Sequence, residues 1–133
     1  MALLWEVQKA VYSALTDNND LMEIVTGVYD YVPERTRYPY VFIEFEIAEN
    51  ISNLARQKYE ISGKIVAYSI DTSRKKALDI MELVKESMNQ DEIIVLGYEV
   101  VLVKQVAEKT RINEERNLFE VEAEFKIIVE KTT

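Results

Sequence analysis

The chain has 133 residues, 48% of them hydrophobic, and its 16 basic and 24 acidic side chains give a net charge of −8. This length suits one compact domain, and the apolar fraction excludes a wholly disordered chain. The absence of cysteine and histidine excludes disulfides, thiolate zinc sites and the commonest general base. The acidic balance argues against binding of a nucleic-acid backbone. We therefore predict a single domain, residues 1–133, with no catalytic, cofactor-binding or metal-binding residue.

Two helices are predicted near the start of the chain. Apolar residues recur at spacings of three and four from Leu3 to about Thr16, which predicts an amphipathic helix. Asp20 and Glu23 stand at capping-box spacing and predict a second, short helix over about Leu21–Thr26. The residues Val28–Val32 then allow a small strand.

The remaining pattern predicts strands around one more helix. Alternation of apolar and polar residues predicts strands over Tyr40–Ile47, Gln57–Ile70 and Leu118–Val129. Ser73–Met88 is the clearest amphipathic helix. Tyr98–Ala107 is a further strand, and its apolar run Val100–Val103 indicates a central place in the sheet. The order α-α-β-β-α-β-β predicts an α+β fold, an antiparallel sheet of about four strands with two main helices packed on one face.

Two polar stretches, Ala48–Arg56 and Glu108–Asn117, are predicted to be exposed loops or arms. Cations in such loops are either ordinary solvated charge or contacts for an acidic partner. Tyrosines around the two prolines either complete the edge of the core or form an interface. The candidate contact residues for partners or other copies are Tyr31, Arg35, Arg37, Tyr38, Tyr40, Lys109, Arg111 and Arg116.

Three carboxylates, Glu120, Glu122 and Glu124, stand at strand spacing on one face of the last strand. We interpret this face as solvated, since nothing in the sequence places the carboxylates in a desolvated cleft. An oxygen-only metal site that combines them with Glu44 and Glu46 is the one route left to an enzyme.

No stretch of the sequence reaches the roughly 18 consecutive apolar residues that a membrane helix needs. The start, Met1–Trp5, carries no basic residue and is followed at once by Glu6, so it does not resemble a signal peptide. From these residues we expect a cytosolic protein without a membrane contact.

Four short segments in the first third of the chain form a characteristic series. They are Ala14-Leu15 at the helix end, Val25-Thr26-Gly27-Val28-Tyr29-Asp30, Val32-Pro33 and Tyr38-Pro39-Tyr40-Val41. A long strand, a helix and two closing strands follow. In these features the chain resembles the tail completion or tail terminator proteins of long-tailed bacteriophages and gene transfer particles.

The resemblance implies a virion structural protein that is not an enzyme. Such proteins form a ring, usually hexameric, on the head-proximal end of the tail tube, where they stop tube polymerisation and join the head-neck connector proteins. The resemblance thus implies a place in the virion tail after synthesis in the bacterial cytoplasm. Open sheet edges that pair between copies would close such a ring. DNA would pass through without specific binding if Glu120, Glu122 and Glu124 face the channel.

A second hypothesis from the residues themselves is a small acidic oligomeric binding or regulatory domain. In that case the segment Tyr29–Tyr40 would form a ligand groove, because tyrosine presents a large contact area at low entropic cost.

Overall fold

The computed structural model describes residues 2–132 as three helices and one five-stranded sheet. The bounds along the chain are α1 Leu3–Thr16, α2 Asn19–Ile24, β1 Val28–Tyr29, β2 Tyr40–Asn50, β3 Lys58–Ile70, α3 Lys75–Ser87, β4 Tyr98–Asn113 and β5 Leu118–Lys131. The α+β class is confirmed, and the predicted order of elements is matched in part, since the structure adds the small strand β1 after α2. The prediction of about four strands is wrong, because this fifth strand joins the sheet.

The helices pack their apolar stripes against one face of the sheet. Buried residues of α1 and α3 join the inward-facing side chains of β2, β3 and β5 in one hydrophobic cluster. Asn18, not Asp20, caps α2, since its side-chain Oδ1 accepts a hydrogen bond from the Leu21 N–H at 3.2 Å. In residues 2–132 no helix has the length and apolar character that crossing a membrane requires.

The strand order in the sheet is β1-β2-β3-β5-β4. β1 pairs with β2 in parallel over only two residues, and every other pair is antiparallel. The predicted antiparallel sheet is therefore correct for four strands and wrong for β1. β3 and β5 form the centre, because each has a long strand on both sides.

β4 corrects two predictions. It lies at the edge of the sheet rather than the centre, and Val101 and Leu102 are 39% and 41% exposed. The apolar run gave a wrong prediction of the strand's position in the sheet. The pairing register shifts between Val100 and Leu102, so a bulge adds one residue and breaks the alternation of apolar and polar residues. β4 also continues to Asn113, which places the first half of the predicted loop Glu108–Asn117 in a strand.

Gly63 lets β2 and β3 approach closely beside a bulge in β2. The register shifts between Phe45 and Ile47, and Gly63 pairs with Phe45. A Cβ atom on Gly63 would lie 2.6 Å from the Phe45 Cα and against the Glu44 carbonyl oxygen. Glycine is therefore required here by space rather than by its φ angle.

Candidate functional site

The face of the sheet opposite the helices, which we call the helix-free face, presents its side chains in rows across the strands. One row runs through Tyr40, Tyr68, Glu120 and Arg111, according to the pairing register. The next rows carry Phe42, Val66, Glu122 and Lys109, then Glu44, Lys64, Glu124 and Ala107. The three carboxylates of β5 therefore share one face, as their spacing predicts.

Lysines lie between the carboxylates of this face. Lys109 Nζ is 3.1 Å from one carboxylate oxygen of Glu122, and Lys64 Nζ is 3.6 Å from the other. Lys64 also lies 3.8 Å from Glu44, while Glu124 stays exposed. Since exposed ion pairs contribute little to stability, their main effect is to balance the charge of the surface.

Tyrosine rings occupy one end of the helix-free face. The ring of Tyr40 stacks on Tyr38 and on Tyr68, with centroid separations of 5.2 and 5.0 Å, and meets the edge of Tyr29 at 5.9 Å. These separations leave no slot for a ligand ring between the stacked tyrosines. A cavity of about 470 Å³ does adjoin Tyr29, but it lies against α1, beside Trp5 and Tyr12.

Burial in this stack changes the acidity of two phenols. Burial, and then the neighbouring Tyr38, raise the pKa of Tyr40 to about 12. Burial, and then the Glu120 carboxylate, raise the pKa of Tyr68 to about 12. Both effects favour the neutral phenol.

Six of the predicted contact residues lie outside β4, in the segment before β2, at the start of β2 or in the turn after β4. Tyr31, Arg35 and Arg37 lie in the exposed segment before β2, where Tyr31 is 81% exposed and Arg35 has a φ of 63°. Arg116 lies in the turn after β4 and donates a hydrogen bond from Nη2 to the Tyr38 hydroxyl at 3.4 Å, which joins the two segments at one end of the sheet. Tyr40, by contrast, is only 8% exposed.

Lys109 and Arg111 belong to β4 and not to a loop, which corrects their predicted setting. Their places in the register, opposite Glu122 and Glu120, explain why a strand tolerates these charges. Both residues lie on the edge strand, where a second chain has access.

Gln8 was not singled out by the sequence, yet it occupies the outer edge of β2. Its Nε2 donates a hydrogen bond to the Ile43 carbonyl at 2.9 Å, and its Oε1 accepts one from the Phe45 N–H at 3.0 Å. The side-chain amide thus replaces a neighbouring strand. No local pattern reveals this role, because it depends on how α1 crosses β2.

Over residues 2–132, no three acidic side chains come together in a way that would hold a metal ion. Glu44 and Glu122, two members of the hypothetical oxygen-only site, lie instead on either side of Lys64.

A sequence profile described as tail completion protein gp17 matches residues 9–130. The chain belongs to this family. The resemblance found in the sequence is thereby confirmed. The tail completion chain is a structural protein of the virion tail and not an enzyme.

Solved structures include a close match to the fold of this family member. A chain from "Virion of native gene transfer agent (GTA) particle" superposes with a TM-score of 0.85 at 21% sequence identity, covering 97% of this chain and 98% of that chain. At this identity the likeness concerns the fold. No curated protein is significantly similar in sequence.

Proposed function

We propose that this tail completion protein acts as a tail terminator. Six copies, each a single domain, form a ring on the head-proximal end of the tail tube. The ring stops polymerisation of the tube and presents a surface to the head-neck connector proteins. Family membership supports the place in the tail, and the structure of the sheet edges supports the ring.

The observation that carries the ring is the difference between the two edges of the sheet. One edge is β4, a strand of 16 residues, and the other is β2, which β1 and Gln8 cover in part. Unpaired strand edges are templates for another chain. Because the two edges differ, contact between them is heterologous, and such contacts generate rings when the rotation closes.

The two ends of the sheet provide two different contact surfaces. The loop of residues 51–57 lies at one end and presents Leu54 fully to solvent. Asn53 Oδ1 accepts hydrogen bonds from the N–H groups of Ala55 and Arg56, both at 2.9 Å, which fixes this loop. The turn of residues 114–117 lies at the other end, beside Tyr38. A ring of such subunits meets the tube with one end and the neck with the other.

The helix-free face lines the channel in this proposal, with Glu120, Glu122 and Glu124 directed toward the passing DNA. Lysines balance part of this surface, as the contacts of Lys64 and Lys109 indicate. A surface without excess positive charge releases few counterions from DNA and therefore holds it weakly.

Removal of the gene from a particle-producing strain tests the function. We expect tail tubes of uncontrolled length and heads without tails in electron micrographs, and restoration by the wild-type chain supplied from a plasmid. Tubes of normal length joined to heads in the absence of the chain would refute the terminator function.

A further inference from the structure

The outer edge of β2 is covered only in its first half. β1 pairs with Val41 and Phe42, and the Gln8 amide covers the edge between Ile43 and Phe45. In the part of the chain that the structure describes, no strand pairs with this side of Glu46–Asn50. A second chain therefore has access to the outer backbone edge of β2 only beyond Phe45.

The outer edge of β4 is interrupted by two bulges. The pairing register shifts between Val100 and Leu102 and again between Gln105 and Ala107. These bulges leave Leu102–Gln105 between them as regular strand. This stretch is as long as Ile47–Asn50, the open part of β2 that follows its own bulge at Glu46, so each can pair with the other without crossing an irregularity.

The charges of the two open segments are opposite. Glu46 and Glu49 are exposed, as is Lys104, and within residues 2–132 none of the three belongs to an ion pair. Pairing of β4 with a second β4 would bring lysines together, and pairing of β2 with a second β2 would bring glutamates together. Only contact between β2 and β4 joins unlike charges, which favours a head-to-tail arrangement.

The two segments also lie at the same height in the sheet. The row that begins at Ile47 continues through Ser62 and Lys126 to Lys104 on the far edge. In a ring every copy runs in the same direction, so the β2 of one copy lies antiparallel to the β4 of the next. The antiparallel sheet then continues from copy to copy.

We propose that Ile47–Asn50 of one copy adds as an antiparallel strand to Leu102–Gln105 of the next, with Lys104 close to Glu46 and Glu49. Main-chain hydrogen bonds supply the pairing and the charges supply its direction. Gln8 determines where the added strand can begin. This interface rests on the proposed ring and assigns the residues that close it.

Charge reversal with rescue tests the interface. Lys104→Glu and Glu49→Lys are made singly and together, and assembly of the purified chain is measured by sedimentation velocity and native mass spectrometry. We expect each single variant to weaken assembly by about tenfold or more, and the double variant to recover most of it, since restored coupling is the signature of direct contact. Lys76→Glu, an exposed change of equal charge on α3, is expected to assemble like wild type.

The outcomes separate the interface from the function. A wild-type ring that persists in both single variants, or a folded double variant that does not recover, overturns the interface and leaves the terminator function in place. A wild-type chain that forms no closed assembly overturns both. A stable dimer that the neutralising variant Lys104→Gln strengthens would indicate pairing of β4 with β4, because the repulsion between lysines is removed, and would also overturn the proposal.

Discussion

Gln8 protects the edge of β2 with a single side chain. Its amide satisfies the Ile43 carbonyl and the Phe45 N–H at 2.9 and 3.0 Å. Gln8→Met keeps the length of the side chain and removes both hydrogen bonds, so we expect the free energy of unfolding to fall by about 1–3 kcal/mol. Chemical denaturation measures this loss, with the exposed Gln90→Met as the matched control. Equal stability of the two variants would contradict the role of Gln8.

The tyrosine stack makes the protein sensitive to alkali. Tyr40 and Tyr68 have pKa values of about 12 in the folded chain against an ordinary value of 10.0. Because the folded state holds these protons more tightly, their contribution is complete below pH 10 and is lost as the pH rises from 10 through 12. We expect the free energy of unfolding to fall over that window.

Ultraviolet titration of the phenols checks this sensitivity directly. The folded protein should show a phenolate component near pH 12, and Tyr40→Phe and Tyr68→Phe should each reduce it. A folded protein without any component near pH 12 would contradict the burial of the two hydroxyls.

At the scale of elements, Gly63 sets how closely β2 and β3 pack beside the bulge. A methyl group there would lie 2.6 Å from the Phe45 Cα, and backbone atoms cannot rotate away. We expect Gly63→Ala to lower the free energy of unfolding by about 1–3 kcal/mol through overpacking. Thermal unfolding tests this, with the neighbouring Ser62→Ala as control. A Gly63→Ala variant as stable as wild type would show that the strands separate easily.

Asn18 joins the first two helices to the third. It caps α2 through Leu21, and its Nδ2 donates to the Leu83 carbonyl at 3.1 Å and to Ser87 Oγ at 3.0 Å. Asn18→Ala removes all three hydrogen bonds, and we expect a loss of about 1–3 kcal/mol in urea unfolding. Asn19→Ala, on the exposed neighbour, should cost less. Equal losses would show that the contact with α3 contributes nothing.

Periodicity predicted the elements whose faces differ sharply. The bounds of α1 match the prediction at both ends, and β3 and β5 match within two residues, because each buries one face more deeply than the other. Position within the sheet was not predictable in the same way. The apolar run of β4 suggested a central strand, but a bulge and an open edge produce the same pattern.

The site was predicted only in part, because local patterns were readable from the sequence and the order of strands in the sheet was not. Strand spacing placed Glu120, Glu122 and Glu124 on one face, since alternation is a local property. The two lysines that pair with Glu122 come from β3 and β4, so the balance of charge depends on register across strands. Gln8 and Lys104 gave no local signal, because each acts at a sheet edge that only the strand order defines.

For the whole molecule, the net charge of −8 means that a ring of this chain attracts DNA weakly. In the proposed ring the helix-free face lines the channel, and replacement of Glu124 by lysine adds positive charge there, beside Lys64 and Lys126. We expect assembled Glu124→Lys rings to bind double-stranded DNA more tightly than wild type, with a steeper dependence on salt. Filter-binding titrations measure both, and unchanged binding would place this face away from the DNA.

We propose above that copies of this chain form a closed ring at the head-proximal end of the tail tube. Electron cryomicroscopy of the head–tail junction of the parent particle shows whether such a ring exists. We expect six copies in one ring between tube and neck, with β2 and β4 of neighbouring copies side by side and Glu122 directed toward the axis. Density for this chain elsewhere in the particle, or a ring with α1 and α3 lining the channel, would contradict it.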